Sequence, residues 1–186
     1  RPIAEFERVV ISVGNLSTGG TGKTPMIEYL ISMLKEKYHL ATVSRGYGRK
    51  TRGERIANAE DTARTLGDEP FQFYRKFGNE INVVVGEERA LAIPHLLMEH
   101  EATELILLDD AFQHRQVARD LNIMLSDFSV PFYSDFVLPA GNLREGRNEA
   151  KRADAIVITK CPTDITEHQK KKIIERVKVY NPAAPV

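Results

Sequence analysis

The sequence has a single cysteine, no net charge and no long apolar run. Because Cys161 has no second cysteine to pair with, no disulfide framework can form, as expected in a reducing compartment. The 26 basic residues balance the 26 acidic ones, so no overall field attracts nucleic acid or an anionic membrane. No apolar run is long enough to span a bilayer, and these residues contain no signal peptide. Function must therefore be sought in local motifs.

The composition and the hydrophobic patterning predict one α/β domain. With 42% hydrophobic and 28% charged residues, the chain of 186 residues can bury a sizeable core. Short apolar, β-branched runs alternate with helical patterns, which predicts a mainly parallel sheet with helices on both faces. Loops after the strands then share one sheet edge, where ligands bind in folds of this type. The predicted helices cover 26–38, 87–100 and 167–179, and Pro94 should bend or shorten the second of them. The predicted strands cover 9–13, 41–43, 83–85, 105–108, 123–125 and 155–158.

A glycine-rich stretch between the first strand and the first helix predicts a phosphate-binding loop. Its backbone amides and the helix N-terminus would hold the phosphates of a nucleotide, Lys23 would reach the β- and γ-phosphates, and Thr24 would hold Mg²⁺. Pro25 fits the first helical turn. One departure is Ser17, which stands where the usual pattern begins with glycine, and the alternative is a plain turn between strand and helix. The predicted loop residues are Ser17, Thr18, Gly19, Gly20, Thr21, Gly22, Lys23 and Thr24.

Two acidic pairs are candidates for the chemistry. Asp109 and Asp110 end a hydrophobic strand, where phosphate-loop enzymes place a metal-binding carboxylate, although an acidic turn is the alternative. Asp68 and Glu69 precede Pro70. There Asp68 is either a base that accepts a hydroxyl proton or the N-cap of a helix that ends at position 77.

Two further segments allow a structural and a functional interpretation. The polar stretch 46–67 lacks periodicity and is predicted as a long functional loop with some helix. Its basic cluster, within 45–55, is either a solvated loop or a surface for a phosphorylated or membrane-bound substrate. Thr159-Lys160-Cys161-Pro162 follows the last strand, where nucleotide bases are often held, and Asp164 completes a loose likeness to the base-reading loop of GTPases. An ordinary strand-to-helix turn is the alternative.

Taken together and in order, these motifs resemble the tetraacyldisaccharide 4'-kinase family, the lipid A 4'-kinases of Gram-negative bacteria. The resemblance covers nearly the whole chain, and the ordered set is much more specific than any one piece. The matching segments are 13–16 leading into 19–25, Ser-Arg-Gly-Tyr-Gly-Arg at 44–49, Gly-Asp-Glu-Pro at 67–70, Asp-Asp-Ala-Phe-Gln-His-Arg at 109–115, Leu-Pro-Ala-Gly-Asn-Leu-Arg-Glu at 138–145, and Arg-Ala-Asp at 152–154.

The resemblance implies a P-loop NTPase-like kinase core that moves the γ-phosphate of ATP to the 4'-hydroxyl of an acylated glucosamine disaccharide 1-phosphate. It makes Asp68 the base and Asp109 and Asp110 the metal-site acids, and we expect Lys23 and Arg144 to supply positive charge to the phosphates. For Arg144, an ion pair with Glu145 or Glu149 is the structural alternative. Other residues expected to line the site are Arg45, Glu69, Gln113, His114 and Glu145.

The resemblance also sets expectations for cofactors, partners and location. They are ATP and Mg²⁺, a lipid disaccharide 1-phosphate, peripheral contact with the cytoplasmic face of the bacterial inner membrane, and neither nucleic acid nor an obligate protein partner. We expect residues 1–186 to be the kinase core of a longer protein whose N-terminal membrane helix and C-terminal part are absent here. The alternatives are a nucleotide-hydrolysing switch or metal-insertion protein, and a nucleotide-binding module that only scaffolds partners.

Overall fold

The computed structural model describes residues 3–186, and the first two residues of the predicted domain lie outside this range. Seven strands form one sheet in the order β3-β4-β2-β5-β1-β6-β7, in which only the pairing of β3 with β4 is antiparallel. The mainly parallel sheet predicted from the sequence is confirmed. The strands are β1 Val9–Asn15, β2 Leu40–Ser44, β3 Arg55–Ile56, β4 Asn82–Val85, β5 Leu105–Asp109, β6 Leu121–Asp127 and β7 Ala155–Thr159.

Five α-helices and three short 3₁₀ helices complete the described fold. The α-helices are α1 Lys23–Leu34, α2 Ala63–Leu66, α3 Asp68–Phe77, α4 Arg89–Glu99 and α5 Glu167–Lys178, and the 3₁₀ helices are Gly78–Glu80, Phe132–Ser134 and Arg147–Arg152.

Helices cover both faces of the sheet because successive side chains of each strand point to opposite sides. On one face, Ile11 and Val13 of β1 pack in a cluster with residues of α1 and α3. On the other face, Val10 of the same strand packs in a cluster with residues of α4. Residues of α5 join a third cluster with Met124 of β6 and Ile156 of β7. This is the layered arrangement that the continuous apolar strands predict.

Several predicted boundaries were wrong. Helix α1 begins at Lys23, directly from the phosphate loop, and ends at Leu34, because the residues from Glu36 to Tyr38 are exposed and no longer face the sheet. Pro94 lies inside α4 without ending it, although the helix is shorter at both ends than predicted. The segment 46–67 was predicted as a loop with some helix. It contains α2 and also β3, a two-residue edge strand that polar flanking residues conceal.

The parallel register brings the predicted motifs to one edge. Val13 of β1 pairs with Asp109 at the end of β5, and Asn15 at the end of β1 pairs with Leu125 near the end of β6. The close packing of this edge requires Gly14, because an added Cβ would lie 2.7 Å from the Phe112 Cβ. Strand order and register therefore place the loop after β1 beside the acids after β5.

Candidate active site

The loop after β1 has the geometry of a phosphate cradle. Gly19 and Gly22 adopt φ values of 103° and 84°, which favour glycine because side chains clash in that region. Gly22 is the N-cap of α1, and no side chain caps the helix. The first amides of α1 therefore lack a side-chain acceptor and can meet an anion, with the helix dipole adding partial positive charge.

Ser17 fits the position where the usual pattern has glycine. Among residues 3–186, the only non-glycine residues with positive φ are Asp110 and Lys160, so residue 17 needs no glycine-specific backbone. Ser17 instead forms an antiparallel bridge with Leu143, and the Thr18 amide donates to the Asn142 carbonyl at 2.7 Å. The segment that precedes Arg144 thus packs along the start of the phosphate loop.

Asp109 is the buried acid at the end of β5. Its side chain is 2% exposed, and its Oδ1 has no hydrogen-bond partner among the described residues. Burial raises the pKa of Asp109 to about 7, and the negative charges of Glu69 and Asp110 act in the same direction, while Lys23 opposes them. A buried carboxyl with this electrostatic environment is suited to receive a cation.

Asp110 joins the two cations that the sequence assigned to phosphate binding. Its carboxylate lies 3.6 Å from Lys23 Nζ and 3.2 Å from an Arg144 nitrogen. The alternative reading of Arg144 as a partner of Glu145 or Glu149 was wrong, because these two carboxylates bind Arg115 and Arg152. Lys23 and Arg144 therefore both pair with the Asp110 carboxylate. An incoming phosphate can replace Asp110 as their partner.

The start of α3 lies against the start of α1. Thr24 Oγ1 donates to Glu69 Oε1 at 2.8 Å, which places Asp68 next to the residue that faces the phosphate loop. Asp68 is exposed and is the first residue of α3. The N-cap is Gly67, and no side chain caps this helix, so the N-cap interpretation of Asp68 was wrong. The predicted end of the helix at Phe77 is confirmed.

Arg89 is a residue of the site that the sequence analysis missed. Its side chain is buried, and Nη2 donates to the main-chain carbonyls of Asp109 and Asp110 at 3.2 and 3.4 Å. This contact supports the left-handed conformation of Asp110, whose φ is 46°. Burial lowers the pKa of Arg89, and the two aspartates counteract that effect. No sequence signal identifies this role, because Arg89 follows Glu87 and Glu88 and reads as part of a solvated helix start.

Gln113 and His114 follow the acidic pair and lie on the same edge. Gln113 Nε2 donates to the main-chain carbonyl of Asn15 at 2.8 Å, which ties the segment to β1. His114 is half-buried, and its Nε2 is buried without a partner among the described residues. Burial lowers the pKa of His114 to about 4, and the positive charges of Arg89, Arg119 and Arg45 add to the effect. The imidazole is therefore neutral near pH 7. It can take part in a hydrogen bond, but it brings no positive charge to the site.

The depressed pKa of His114 predicts a pH-dependent stability. The unfolded imidazole binds a proton below about pH 6.5, but the folded one resists until about pH 4, so the free energy of unfolding falls as the pH is lowered through this window. The His114→Gln variant has no titrating ring, so its free energy of unfolding should fall less between about pH 6.5 and pH 4 than that of the unmodified protein. Urea unfolding at several pH values measures the difference. A ring-proton NMR titration with a midpoint near 6.5 would contradict the prediction.

The other predicted lining residues are divided between ion pairs and solvent. Glu145 is held by Arg115, at 2.9 Å, and by Arg152, so its carboxylate serves an ion-pair network beside the site. Arg45 is exposed at the end of β2, and its charge reaches His114 and Arg89.

The basic segment divides in the same way. Arg49 is buried against Glu87 at 2.6 Å, and Arg55 pairs with Asp61 at 2.6 Å. Lys50 and Arg52 are exposed. Two cations of this segment are therefore structural, and the exposed ones match the reading of a solvated loop.

The donor set suits Mg²⁺ only with oxygen atoms from a ligand. Within residues 3–186, no three side chains of His, Cys, Asp or Glu are placed to enclose a metal ion. The unpartnered Oδ1 of Asp109, the Asp110 carboxylate and the Thr24 hydroxyl are nevertheless the hard oxygen donors that Mg²⁺ prefers, and it completes its shell with water and phosphate oxygens.

In the described part of the chain, no helix is both long and apolar enough to cross a bilayer.

The sheet order, the glycine-rich loop and the acidic strand end define the class as a P-loop NTPase-like α/β fold. A family model described as tetraacyldisaccharide-1-P 4'-kinase matches residues 2–184, so the chain belongs to this family. Several relatives carry the name tetraacyldisaccharide 4'-kinase, and two of them illustrate the similarity. The protein of Flavobacterium psychrophilum is 55% identical over 95% of this chain and 51% of its own length. The protein of Bacteroides thetaiotaomicron is 47% identical over 92% of this chain and 45% of its own length.

Two solved structures share the fold. LpxK from Aquifex aeolicus, in complex with ATP, is 40% identical with a TM-score of 0.80, over 90% of this chain and 53% of that one. The hydrogenase maturation factor HypB from Archaeoglobus fulgidus is 18% identical with a TM-score of 0.52, over 96% of this chain and 79% of that one, and shows likeness of fold alone. The chain spans about half the length of the curated relatives it matches.

Proposed function

We propose that the chain carries the ATP-binding and phosphoryl-transfer half of a tetraacyldisaccharide 4'-kinase. The γ-phosphate of ATP would pass to the 4'-hydroxyl of a tetraacyl glucosamine disaccharide 1-phosphate, a step of lipid A biosynthesis. The observation that carries this proposal is the meeting of Lys23, Asp109 and Asp110 at one sheet edge, in a chain of this family. The ATP complex of the Aquifex aeolicus relative supports ATP as the donor.

The positive groups of the site would stabilise the transferring phosphoryl group. The amides of residues 17–24 would bind the phosphates, and Lys23 and Arg144 would exchange their contact with Asp110 for contacts with phosphate oxygens. Because phosphoryl transfer depends mostly on positioning and on charge neutralisation, a sheet edge that carries these cations would supply most of what the reaction requires.

Asp68 is proposed as the base. As the bond between the acceptor oxygen and the γ-phosphorus forms, the bond from that phosphorus to the β-phosphate oxygen breaks, and the hydroxyl proton passes to Asp68. The side chain is exposed beside Glu69, whose contact with Thr24 places it near the phosphate loop. The acceptor would be lined by Arg45, Gln113, His114 and Glu145.

Thr24, Asp109 and Asp110 would hold Mg²⁺. When bound, the ion neutralises phosphate charge and orients the triphosphate. The raised pKa of Asp109, about 7, means that this carboxyl is partly protonated near neutrality until a cation arrives. The Thr24 hydroxyl now donates a hydrogen bond to Glu69 Oε1 at 2.8 Å. Glu69 would have to release this hydroxyl to the ion or share it with the ion.

A lipid acceptor of the proposed kind would bring the protein to a membrane surface. We infer peripheral contact with the cytoplasmic face of the bacterial inner membrane, where ATP is present and acyl chains are anchored. The support for this location is the acylated acceptor of the proposed reaction, since the chain itself carries no net charge that would attract it to anionic lipid.

A transfer assay tests the proposal directly. The full-length protein, ATP, Mg²⁺ and the disaccharide 1-phosphate should yield phosphorylated disaccharide and ADP in equal amounts. Hydrolysis of GTP without an acceptor would instead support a switch or metal-insertion protein, and binding of nucleotide without turnover would support a scaffold. Either result would overturn the kinase proposal.

A further inference from the structure

The loop after β7 is tied to the phosphate loop by side chains that the proposed reaction does not use. Lys160 follows the last residue of β7, and its ammonium donates to the main-chain carbonyl of Gly20 and to Asp127 Oδ2, the latter at 2.7 Å. Thr159 Oγ1 donates to the carbonyl of Thr21 at 2.9 Å. Two successive carbonyls of the phosphate loop are thus held from the same side, by the end of β7.

The backbone geometry gives these contacts a consequence for the loop. In a trans peptide the C=O and N–H groups point in opposite directions. When the carbonyls of Gly20 and Thr21 point toward β7, the amides of the same peptide units, those of Thr21 and Gly22, turn away from it. The Thr21 amide makes a 3.1 Å contact with the Gly19 carbonyl, which a phosphate oxygen can replace. Amides that turn together into the loop are what a phosphate cradle requires.

The backbone conformation of Lys160 and a fixed carboxylate partner hold its side chain in place. Its φ of 56° is a left-handed conformation that lysine seldom adopts, and from it the ammonium reaches the Gly20 carbonyl. The Asp127 carboxylate that receives the ammonium is itself fixed, because the amide and hydroxyl of Ser129 donate to its Oδ1 at 2.8 and 2.6 Å. Lys160 lowers the pKa of Asp127 to about 2, so the pair stays charged throughout the neutral range.

We propose that Lys160 and Asp127 form a clamp that positions the phosphate loop for the triphosphate of ATP. The inference rests on the proposed function, because ATP is the ligand that the loop is prepared to receive. Lys160 is a positioning residue here and touches the loop backbone rather than the reacting atoms. A clamp of this kind improves affinity by lowering the ordering cost of the loop when the ligand binds.

The same pair contributes little to the stability of the fold. Lys160 is half-exposed, and exposed ion pairs stabilise proteins by about 0–1 kcal/mol. The clamp and a merely structural pair therefore differ in an observable way. If the pair is a clamp, its removal lowers ATP affinity while the unfolding temperature stays nearly the same.

The test compares Lys160→Ala with Lys170→Ala in the full-length protein. Lys170 is a matched control, because it also pairs with a carboxylate, Glu167 at 2.6 Å, and is also half-exposed, but on α5. Calorimetric titration with ATP and Mg²⁺ should show about a tenfold rise in Kd for Lys160→Ala, which corresponds to about 1.4 kcal/mol. Lys160→Arg should restore most of the affinity, since a guanidinium can donate to both acceptors.

The further readouts separate the clamp from its alternatives. At saturating ATP, kcat of Lys160→Ala should stay within about twofold of the unmodified protein, so the loss appears in KM for ATP. Asp127→Asn should weaken ATP binding in the same direction. An ATP affinity of Lys160→Ala within twofold of that of Lys170→Ala overturns the clamp, as does a loss of affinity that only follows a lowered unfolding temperature. An unmodified protein that binds no ATP overturns the proposed function and the clamp with it.

Discussion

Replacing Asp68 by asparagine is expected to lower kcat by about 10²–10⁴, the usual contribution of a positioned base. The substitution keeps the size of the side chain and removes its ability to take the proton of the acceptor hydroxyl. Because Asp68 is exposed at the start of α3 and caps nothing, the fold should tolerate the change. ATP affinity should stay nearly unchanged, since Lys23 and the loop amides bind the phosphates.

The measurement is steady-state phosphate transfer to the disaccharide, combined with calorimetric binding of ATP. Glu175→Gln is a suitable control, because Glu175 is an exposed carboxylate on α5, outside the residues that form the site. Equal losses in kcat and in ATP affinity would remove Asp68 from the role of base and indicate a general disturbance of the loop.

The strands and the phosphate loop could be predicted because their signals are local. Each predicted strand is a short apolar run, and the loop is a glycine-rich segment between a strand and a helix. The edge strand β3 escaped prediction because two residues in a polar segment have no periodicity, and their pairing with β4 is a tertiary event. Helix ends shifted for the same reason, since packing against the sheet determines where a helix stops.

The residues of the site could be predicted, but their partners could not. Arg144 has glutamates close by in sequence, yet it pairs with Asp110, 34 positions away, because β5 and the segment after β6 meet at one edge. Arg89 binds main-chain carbonyls, which leave no trace in a residue pattern. The segment of Lys160 has a recognisable pattern, but that pattern does not identify the Gly20 carbonyl as its partner. Such contacts depend on the register of the sheet, which the sequence alone does not determine.

Replacing Lys23 by alanine is expected to have the largest effect on nucleotide binding. Lys23 Nζ lies 3.6 Å from Asp110 Oδ1 with its side chain only 10% exposed, so its charge is held at the phosphate site in a largely desolvated position. Loss of a charge-assisted contact in such a position costs about 2–5 kcal/mol, which corresponds to an ATP Kd raised by about thirtyfold or more.

The fold should survive this change, since Asp110 keeps its contact with Arg144 at 3.2 Å. The unfolding temperature should therefore fall little, while calorimetric titration with ATP and Mg²⁺ shows weak binding or none. Lys23→Arg should not restore affinity, because a planar guanidinium is bulkier than an ammonium and needs more room between the loop and Asp110. An alanine variant that binds ATP within threefold of the unmodified protein would show that the loop amides alone hold the triphosphate. The assignment of Lys23 to the β- and γ-phosphates would then fail, and the charge for phosphoryl transfer would have to come from Arg144.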